Sequence, residues 1–412
     1  MKIEFIHCAD LHLGCNSSRL DERYDDFFNA FDRLIEYTHQ HSVHYIVISG
    51  DFFHLKVINS KTLQKTMNSL TKAKTYDIKV MVIEGNHDRA FYVDEDSWLK
   101  FLNDQAMITL LTSTVQNQTI HLQPYQNGTG SIYEDDAIRI IGLGYLGSAT
   151  EKYLGTFLEL LPVKDKPTIL MMHAAVNRLY GQDMGDVKKD SLKALADKVD
   201  YIALGHIHNR YDYDGLIFNP GSLENIRIKD GANPDLKGFF HVVIENGVVQ
   251  ATHIPSQKRD VFIEAIDATP YLNPNDLIQD ILDRSFSFTT QSLAQINIYG
   301  KVEFNPLAID IKRIEEQLKE EYQLLQIEVN NYANILQSMD ANQTEIDMSL
   351  LVKNQMMETI GFHYPNVKNR EEMALQMLAL EHDLLEKRDA HDIISRLSKG
   401  VMADDDQNNS SR

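Results

Sequence analysis

Short apolar runs alternate with amphipathic segments through residues 1–220, and this alternation restricts the fold more than any other feature of the chain. The apolar runs are typical of strands, and two segments, Asp25–His39 and Ser60–Lys74, are typical of helices. Strands that alternate with helices predict a layered α/β domain. The clearest predicted strands are Ile3–Cys8, Tyr45–Ser49, Lys79–Ile83, Ile138–Leu143, Thr168–Met172 and Tyr201–Leu204.

Polar clusters follow nearly all of these predicted strands, and each cluster begins with Gly, Asp or His. Sites in open α/β sheets form beyond the carboxyl ends of the strands, so the clusters are expected to meet at one rim. Taken singly, each cluster is ordinary, because a lone His at a strand end is more often structural than a ligand. The clusters are Asp10-Leu11-His12, Gly50-Asp51 with His54, Gly85-Asn86-His87-Asp88, His173, and Gly205-His206-Ile207-His208.

The side chains of these clusters form a coherent set of metal ligands. Carboxylate, imidazole and amide oxygen suit divalent ions such as Mn²⁺, Fe²⁺ or Zn²⁺. Residues spaced i, i+2 in an extended chain point the same way, so Asp10 can act with His12, and His206 with His208. The glycines in three of the clusters are expected to permit tight turns. Asp51 is the best candidate to bridge two ions, which together can activate water and neutralise charge on a phosphoryl group.

Complete and in order, the clusters resemble the signature of the calcineurin-like metallophosphoesterases, D-x-H … G-D … G-N-H-D … H … G-H-x-H. The opening IHCADLHLG and the block GDFFH, in which His54 follows Asp51 by three residues, resemble more narrowly the SbcD-type DNA repair nucleases. The resemblance is strong over residues 1–225 and weaker over residues 255–335. It implies an α/β fold, a four-layer α-β-β-α sandwich with a small α+β capping domain and C-terminal helices.

Carried over residue by residue, the resemblance implies two divalent metal ions, which in this family are manganese. It implies that His87 stabilises or protonates the leaving oxygen, that Asp88 orients the His87 ring, and that His54 positions the phosphate. In the wider superfamily the position of His54 is usually not His, so this residue favours a nuclease. The implied ligands are Asp10, His12, Asp51 and His208 for one ion, and Asp51, Asn86, His173 and His206 for the other.

Beyond the predicted strands, the pattern of the chain changes three times. Residues 216–255 contain the strand runs LIFNPGS, FFHVVIE and VVQATHIP, which are expected to complete a second sheet and close a phosphoesterase domain over residues 1–255. A β-α-β-α-β pattern predicts a capping domain over residues 261–335. Residues 342–400 are helical in pattern and are predicted to bind a partner, with packing on their own domain as the alternative. Residues 403–412 are predicted to be disordered.

The net charge of −20 argues against a freestanding nucleic-acid-binding protein, since such proteins usually carry a basic surface. If DNA is the substrate, the metals, a local basic patch or a partner must supply much of the affinity. Arg19 and Arg23, which follow the first cluster, are the candidates for contacts with backbone phosphate. The alternative for both is an ordinary solvated or ion-paired residue near a helix start.

The cysteines and the apolar segments of the chain indicate its cellular compartment. Cys8 and Cys15 have no C-x-x-C partner, so neither a disulfide framework nor a structural zinc knuckle is implied, and Cys8 is expected to be a buried, reduced thiol. The chain has no apolar run of about 18 residues and no charged start followed by an apolar stretch. These features predict a cytoplasmic protein without membrane contact.

The combined expectation is a metal-dependent DNA nuclease that acts in DNA repair with a coiled-coil ATPase of the SbcC type. The resemblance implies 3′–5′ exonuclease activity on double-stranded ends and endonuclease activity on single strands. Two alternatives stay open: a phosphodiesterase or phosphomonoesterase acting on a small nucleotide, and a DNA-end scaffold without catalysis. A homodimer through segment 25–39 or 60–74 stays open as well.

Overall fold

The computed structural model describes residues 2–16, 19–90, 96–116, 119–176, 187–232 and 236–335. The predicted helical region 342–400 and the predicted tail 403–412 lie outside these residues. Within the described ranges, no helix combines the length and apolar character that crossing a bilayer requires.

Strands and α-helices alternate over residues 2–110 and again over residues 139–205, and successive strands make up most of the other described segments as far as residue 255. The first helix begins at Asp21, four residues before the prediction, and its first turn holds Asp21 and Glu22, where carboxylates favour a helix start. The elements are β1 (Lys2–Cys8), α1 (Asp21–Gln40), β2 (Tyr45–Ile48), α2 (Ser60–Thr75), β3 (Lys79–Val82), α3 (Trp98–Asp104), β4 (Thr109–Leu110), β5 (Thr114–Gln116), β6 (Thr119–His121), β7 (Ile132–Glu134), β8 (Arg139–Gly144), α4 (Thr150–Leu160), β9 (Thr168–His173), α5 (Lys189–Lys193), β10 (Tyr201–Gly205), β11 (Tyr211–Tyr213), β12 (Ile217–Asn219), β13 (Gly238–Glu245) and β14 (Val248–Pro255).

Two sheets form the body of the molecule. The first has the strand order β14-β13-β1-β2-β3-β4, and its strands β1 to β4 run parallel. The second has the order β11-β12-β10-β9-β8-β7, and its strands β8, β9, β10 and β12 run parallel. The polar clusters therefore follow the carboxyl ends of parallel strands in both sheets, not in one.

The sheets pack face to face, and helices cover their outer faces. Phe5 of β1 meets Tyr201 of β10 between the sheets, with 5.2 Å between ring centroids. Ile6, the next residue of β1, points to the other side and lies in a core with Phe31 of α1, as the two-residue period of a strand requires. On the second sheet, Leu170 of β9 lies in an outer core with residues of α4 and α5. The layers confirm the predicted α-β-β-α sandwich.

The last two strands of the sandwich lie in the first sheet, so the prediction that they complete the second sheet is wrong. β13 pairs antiparallel with β1, and β14 pairs with β13, whereas β12 joins the second sheet. Phe5 of β1 faces Val242 of β13, and both belong to the core between the sheets. The apolar pattern of β13 predicts a buried strand, but it does not distinguish between two sheets that share one core.

A smaller α/β region follows the linker, residues 256–260. Its three parallel strands, Val261–Asp267, Leu293–Tyr299 and Gln326–Asn331, pair in that order, and two helices cover one face through Ile281, Ile296 and Leu318. This arrangement agrees with the predicted β-α-β-α-β order. Contacts join residues 1–336 into one compact unit, so the division at residues 255 and 261 stays a prediction. The elements are β15 (Val261–Asp267), α6 (Pro274–Asp283), β16 (Leu293–Tyr299), β17 (Lys301–Val302), α7 (Ile311–Glu321), β18 (Gln326–Asn331) and β19 (Asn334–Ile335).

Cys8 is buried and free, as predicted, and Cys15 is buried as well. Cys8 lies at the end of β1 in the core between the first sheet and its helices. Burial and the charge of Asp10 raise the pKa of the Cys8 thiol, so it stays protonated. The thiols act as small core residues.

Candidate metal centre

Four of the predicted ligands lie on backbone with a positive φ angle. The angles are 53° for Asp10, 45° for His12, 51° for Asp51 and 93° for His206. Non-glycine residues rarely adopt such angles, and those that do gather at functional sites, where surrounding contacts hold them. Here the N–H of Asp10 donates to the carbonyl of Gly50, and the N–H of His12 to that of Asp51, each at 3.0 Å. The expectation that these clusters are extended is therefore wrong. Left-handed turns, held by these hydrogen bonds, direct the side chains instead.

A first group of ligand atoms comes from both sheets. Asp10 and His12 follow β1, whereas His208 follows β10. The Nε2 atoms of His12 and His208 lie 3.2 Å apart, and one ligand atom from each of the three residues lies within 4.8 Å of the others. The N–H of His206 donates to both carboxylate oxygens of Asp10 at 3.1 Å, which fixes that carboxylate. The structure thus brings together three residues predicted to bind the same ion.

A second group forms around the carboxyl end of β9. The Nε2 atom of His173 lies 3.0 Å from the Oδ1 atom of Asn86 and 3.4 Å from the Oδ2 atom of Asp51. The Nδ1 atom of His206 lies 3.1 Å from the same Asn86 oxygen and 3.3 Å from the His173 Nε2 atom. The four residues predicted to bind the other ion therefore converge on one point.

Asp51 lies between the two groups. Its Oδ2 atom is 3.8 Å from the Nε2 atom of His12 and 3.4 Å from that of His173, so one oxygen faces both groups. Its Oδ1 atom accepts the N–H of His87 at 2.9 Å, which fixes the rotation of the carboxylate. Burial opposes the charge of Asp51, but His173 and His12 hold its pKa below the usual range. A charged carboxylate between two groups suits a bridging ligand.

The electrostatics of the histidines fit divalent cations. The Nδ1–H of His173 donates to the carbonyl of Ser49 at 2.8 Å, which turns the Nε2 atom toward Asp51. Burial lowers the pKa of His12, and lowers that of His208 to about 4, so both keep lone pairs for a metal. Burial lowers the pKa of His173 too, but the Asp51 carboxylate raises it to about 9, so positive charge is stabilised between them. Imidazoles, carboxylates and an amide oxygen around such a point fit divalent metal ions.

Three glycines let the ligand-bearing loops approach one another. A Cβ atom on Gly85 would lie 2.1 Å from the Oδ1 atom of Asp51, and one on Gly205 would lie 2.1 Å from a backbone carbonyl oxygen of the first sheet. Gly50 has a φ of +89°, and a Cβ atom there would lie 2.4 Å from the Nδ1 atom of His173. Of the three, Gly50 alone matches the predicted tight turn, and the other two permit close approach.

Two more histidines adjoin the first group. The Nδ1 atom of His54 lies 3.3 Å from the Nδ1 atom of His12, and the ring of His87 meets the His12 ring edge-on at 4.9 Å. The Nδ1–H of His87 donates to the carbonyl of His54 at 2.7 Å. This bond leaves the Nε2 atom of His87 as the one that can exchange a proton with a substrate. Both rings are half-buried, so a substrate can reach them.

Asp88 ties two loops together rather than orienting the ring of His87, so that part of the prediction is wrong. Its buried carboxylate accepts three backbone N–H groups, which oppose the rise of its pKa to about 7 that burial and the charge of Asp51 cause. The loop after β3 is thereby joined to the loop after β2, and the carbonyl of His54 takes over the role expected of Asp88. The three donors are Gly85 at 2.9 Å, Phe52 at 3.1 Å and Phe53 at 2.9 Å.

The two arginines predicted to contact DNA differ. Arg19 is exposed, and its contact with phosphate stays a prediction. Arg23 is 4% exposed, donates to Asp26 at 2.7 Å and lies 3.4 Å from Glu224. Arg259 of the linker donates to both oxygens of the same Asp26, at 2.7 and 2.8 Å. The structure therefore favours the ion-paired alternative for Arg23, because its guanidinium belongs to a buried ion-pair network that joins α1 to the linker.

Two residues that the sequence clusters did not include lie beside the centre. The ring of Tyr145 lies 5.8 Å from those of His173 and His206. Arg227 lies near His54. Burial lowers the pKa of His54, and the positive charge of Arg227 lowers it further. Tyr145 directly follows β8, so its position at a strand end was a usable signal. Arg227 lies in a loop without such a signal.

Comparison with known proteins links this arrangement to a described family. A family model described as calcineurin-like phosphoesterase matches residues 3–210, half of the chain, and this range contains every residue of both groups. The DNA double-strand break repair protein Mre11 of Archaeoglobus fulgidus is 23% identical over 364 residues, which are 85% of this chain and 80% of that protein. Mre11 of Thermoplasma acidophilum is 24% identical over 332 residues, 76% and 81% of the two chains. Mre11 of Sulfurisphaera tokodaii is 25% identical over 290 residues, 68% of each chain.

Proposed function

The chain belongs to the calcineurin-like phosphoesterase family and is a metal-dependent phosphoesterase, and from this premise we propose that it is a nuclease that hydrolyses phosphodiester bonds of DNA. The observation that carries the proposal is His54, whose Nδ1 atom lies 3.3 Å from that of His12 at the edge of the metal groups. An imidazole at this edge can donate to a non-bridging oxygen of a phosphodiester. The names of the Mre11 relatives support the choice of DNA.

We assign two ions to the centre and propose manganese for both. When bound, such ions neutralise negative charge on the phosphoryl group and lower the pKa of water. The donor set suits Fe²⁺ and Zn²⁺ as well, so the identity of the metal is a proposal of its own. The proposed ligands are Asp10, His12, Asp51 and His208 for the first ion, and Asp51, Asn86, His173 and His206 for the second.

His87 is the proposed acid for the leaving oxygen. Because its Nδ1–H is held by the carbonyl of His54 at 2.7 Å, the ring presents its Nε2 atom in a fixed direction. The side chain of His54 is the proposed donor to a non-bridging oxygen, which orients the diester. Donors fixed before the reaction lower its barrier, because no reorganisation is needed when charge develops.

Local positive charge supports DNA as the substrate in spite of the net charge of −20. A cleft of about 240 Å³ lies between the 226–229 segment and strands β16 and β18, and its polar and charged lining consists of Arg23, Arg227, Lys229, Gln295, Gln326 and Glu328. Arg and Lys side chains that contact phosphate supply the sequence-independent part of DNA affinity. Arg227 and Lys229 of this cleft, which buried Arg23 also lines, are the proposed basic contacts, together with exposed Arg19.

We extend the proposal to the biological role. The activities are a 3′–5′ exonuclease on double-stranded ends and an endonuclease on single strands, used in DNA repair in the cytoplasm. A coiled-coil ATPase of the SbcC type is the proposed partner, because an acidic chain gains DNA affinity from it. Residues 342–400 are the proposed docking region, and a homodimer through α1 or α2 stays a prediction.

Hydrolysis of a small nucleotide is the second candidate function, as a phosphodiesterase or phosphomonoesterase. The net charge of −20 favours it, because a small substrate needs no extended basic surface. The same metal groups would serve both reactions, so the substrate has to be decided by assay.

The test compares substrates on one preparation of the full chain with Mn²⁺. End-labelled duplex DNA, circular single-stranded DNA, bis-p-nitrophenyl phosphate, p-nitrophenyl phosphate and cyclic nucleotides are assayed side by side, with EDTA as control. We expect cleavage of both DNA forms and of the synthetic diester. Intact DNA, alone and with the ATPase, beside rapid turnover of a cyclic nucleotide or monoester would refute the nuclease proposal.

The partner proposal has a separate test. The full chain and a chain ending at residue 341 are compared for co-purification with an SbcC-type ATPase and for hydrolysis of bis-p-nitrophenyl phosphate. We expect the shorter chain to lose the ATPase and to keep diester hydrolysis. Equal co-purification would remove residues 342–400 as the docking region.

A further inference from the structure

A buried polar cluster of His7, Ser49 and Tyr201 lies between the two sheets, among residues such as Phe5 and Phe240. All three side chains are 0% exposed. The Nδ1 atom of His7 lies 2.8 Å from the Tyr201 hydroxyl, and its Nε2 atom lies 3.2 Å from the Ser49 hydroxyl. Burying a polar group in such a core costs free energy unless the group is hydrogen-bonded. The hydrogen bonds of this cluster therefore decide whether its three side chains can be buried there.

The partners determine where each proton lies. The carbonyl of Leu204 only accepts, so the Nε2 atom of His7, 3.0 Å away, carries the ring proton and donates it. The Nδ1 atom of His7 then accepts from the hydroxyl of Tyr201. The hydroxyl of Ser49 donates to the carbonyl of Ala203 at 3.0 Å. His7 is thus held as a neutral ring in one tautomer, with bonds from β1 to Ser49, which directly follows β2, and to β10.

The bonds of the cluster end close to metal ligands in both sheets. Ser49 precedes Asp51 by two residues, and its carbonyl accepts the Nδ1–H of His173 at 2.8 Å. Leu204 precedes His206 by two residues. The imidazole of the cluster lies on β1, which runs into the first ligand turn. The cluster therefore joins the ligand-bearing ends of strands from the two sheets.

We propose that His7 is a positioning residue that sets the separation of the two sheets at their ligand-bearing ends and thereby the affinity for both metal ions. Each ligand group combines residues of both sheets, Asp10 and His12 with His208 in one, and Asp51 with His173 and His206 in the other. A small shift between the sheets therefore loosens both groups at once. The inference rests on the proposed binding of metal ions, and it is independent of the proposed DNA substrate.

A matched control lies at the other end of the sandwich. Tyr45, the first residue of β2, donates to Asp135 at 2.6 Å, so its hydroxyl joins the first sheet to the β7–β8 hairpin of the second. Tyr45→Phe and Tyr201→Phe each remove one hydroxyl that spans the sheets. Tyr45 lies at the amino end of its strand, and its bond ends away from any proposed ligand.

The experiment measures Mn²⁺ binding to the metal-free full chain by titration calorimetry, and thermal unfolding in EDTA. Outer-shell partners of metal ligands contribute about 10- to 100-fold to affinity. We expect His7→Leu to weaken binding of both ions by this factor, and Tyr201→Phe by about 10-fold. Tyr45→Phe should lower the unfolding midpoint in EDTA and leave the Kd for Mn²⁺ unchanged. His7→Gln should bind more tightly than His7→Leu, because its amide can donate to Leu204 and accept from Tyr201.

The outcomes separate this inference from the proposed function. If Tyr201→Phe and Tyr45→Phe bind Mn²⁺ as the unmodified chain does, the cluster is merely structural and the inference is wrong, whatever happens to stability. If His7→Gln binds no better than His7→Leu, hydrogen bonding by residue 7 is not the cause. A chain that binds two ions but leaves DNA intact refutes only the DNA substrate, and one that binds no divalent ion refutes both.

Discussion

The two ends of the sandwich differ in how their polar groups are paired. At the amino ends of β2 and β3, the hydroxyl of Tyr45 donates to Asp135 at 2.6 Å, and the ammonium of Lys79 lies 3.3 Å from the same carboxylate. At the carboxyl ends, ring nitrogens and oxygens converge instead, as the Nε2 atoms of His12 and His208 do at 3.2 Å. At the amino ends, called the far end below, the polar groups pair with one another. At the carboxyl ends, called the near end, the ligand atoms converge instead.

This difference shows which end of the sandwich can bind a cation. Groups that satisfy one another stabilise the fold and leave nothing for a ligand. Groups that converge on one point cost free energy until a cation neutralises them, so binding of that cation stabilises the folded state. The positive φ angles of Asp10 and Asp51 add to the cost at the near end, by about 1–3 kcal/mol each.

Removing the charge of Asp51 should disrupt the metal centre at the near end and cause the largest loss of activity among these variants. Asp51→Asn keeps the shape but removes the carboxylate that faces both groups. Hydrolysis of bis-p-nitrophenyl phosphate at saturating Mn²⁺ should fall by at least about 10³-fold, or about 4 kcal/mol of transition-state stabilisation. Asp135→Asn, the same change at the far end, should stay within about twofold of the unmodified chain. Similar losses for both variants would remove the distinction between the ends.

Removing the proposed acid should sharpen the comparison, because it separates chemistry from metal binding at the near end. His87→Gln should lower kcat by about 10²- to 10⁴-fold and leave the Kd for Mn²⁺ unchanged. His121→Gln, an exposed histidine of β6, serves as the control. Weaker Mn²⁺ binding by His87→Gln would mean that His87 acts as a ligand, contrary to its proposed role.

Adding one methyl group should test the close approach of the loops. In Gly85→Ala the new Cβ atom meets the Oδ1 atom of Asp51 at 2.1 Å, so the free energy of unfolding in urea should fall by about 1–3 kcal/mol. Diester hydrolysis should fall as well, since Asp51 must move. In Gly155→Ala of α4, no atom of the described residues lies within 4 Å of the new Cβ atom, so the change should be neutral or stabilising by about 0.5–1 kcal/mol. An unchanged Gly85→Ala variant would show that the loop has room to shift.

The smallest expected effect concerns acid at the far end. Burial opposes the charge of Asp135, but the hydroxyl of Tyr45 and its other donors hold its pKa at about 2, below the ordinary 3.8. The stabilisation from this lowering is present above about pH 4 and is lost as the pH falls toward 2. Urea unfolding of the metal-free chain should therefore show a difference between the unmodified chain and Asp135→Asn that shrinks over this range. A constant difference would mean that the charge contributes nothing.

Much of the centre could be predicted because its residues come in short clusters after strands. The spacing of Asp10 and His12, or of His206 and His208, is visible within one cluster. The left-handed backbone was not visible, because it depends on hydrogen bonds to the turn at Gly50, which is distant in the sequence.

The errors have the same physical origin. Asp88 follows His87 directly, yet its carboxylate binds N–H groups of two separate loops. Arginine is usually a surface residue, yet Arg23 is buried and forms ion pairs with Asp26 and Glu224. His7 stands in an apolar strand three residues before the first cluster, and its role depends on strands that lie far along the chain. Periodicity predicts which face is buried, but not which distant residue will lie against it.

The pairing of β1 with β13 has a consequence for the order of assembly. Residue 2 faces residue 245 across this pair, so the two strands can meet only after a long intervening chain has been made. Contacts of such long separation form slowly, because the loop between them must close first. During synthesis, one edge of β1 lacks its partner until β13 has left the ribosome. Asp10 and His12 directly follow β1, so the first metal ligands reach their final turn late, and a chain ending before β13 is expected to yield no partly active fragment.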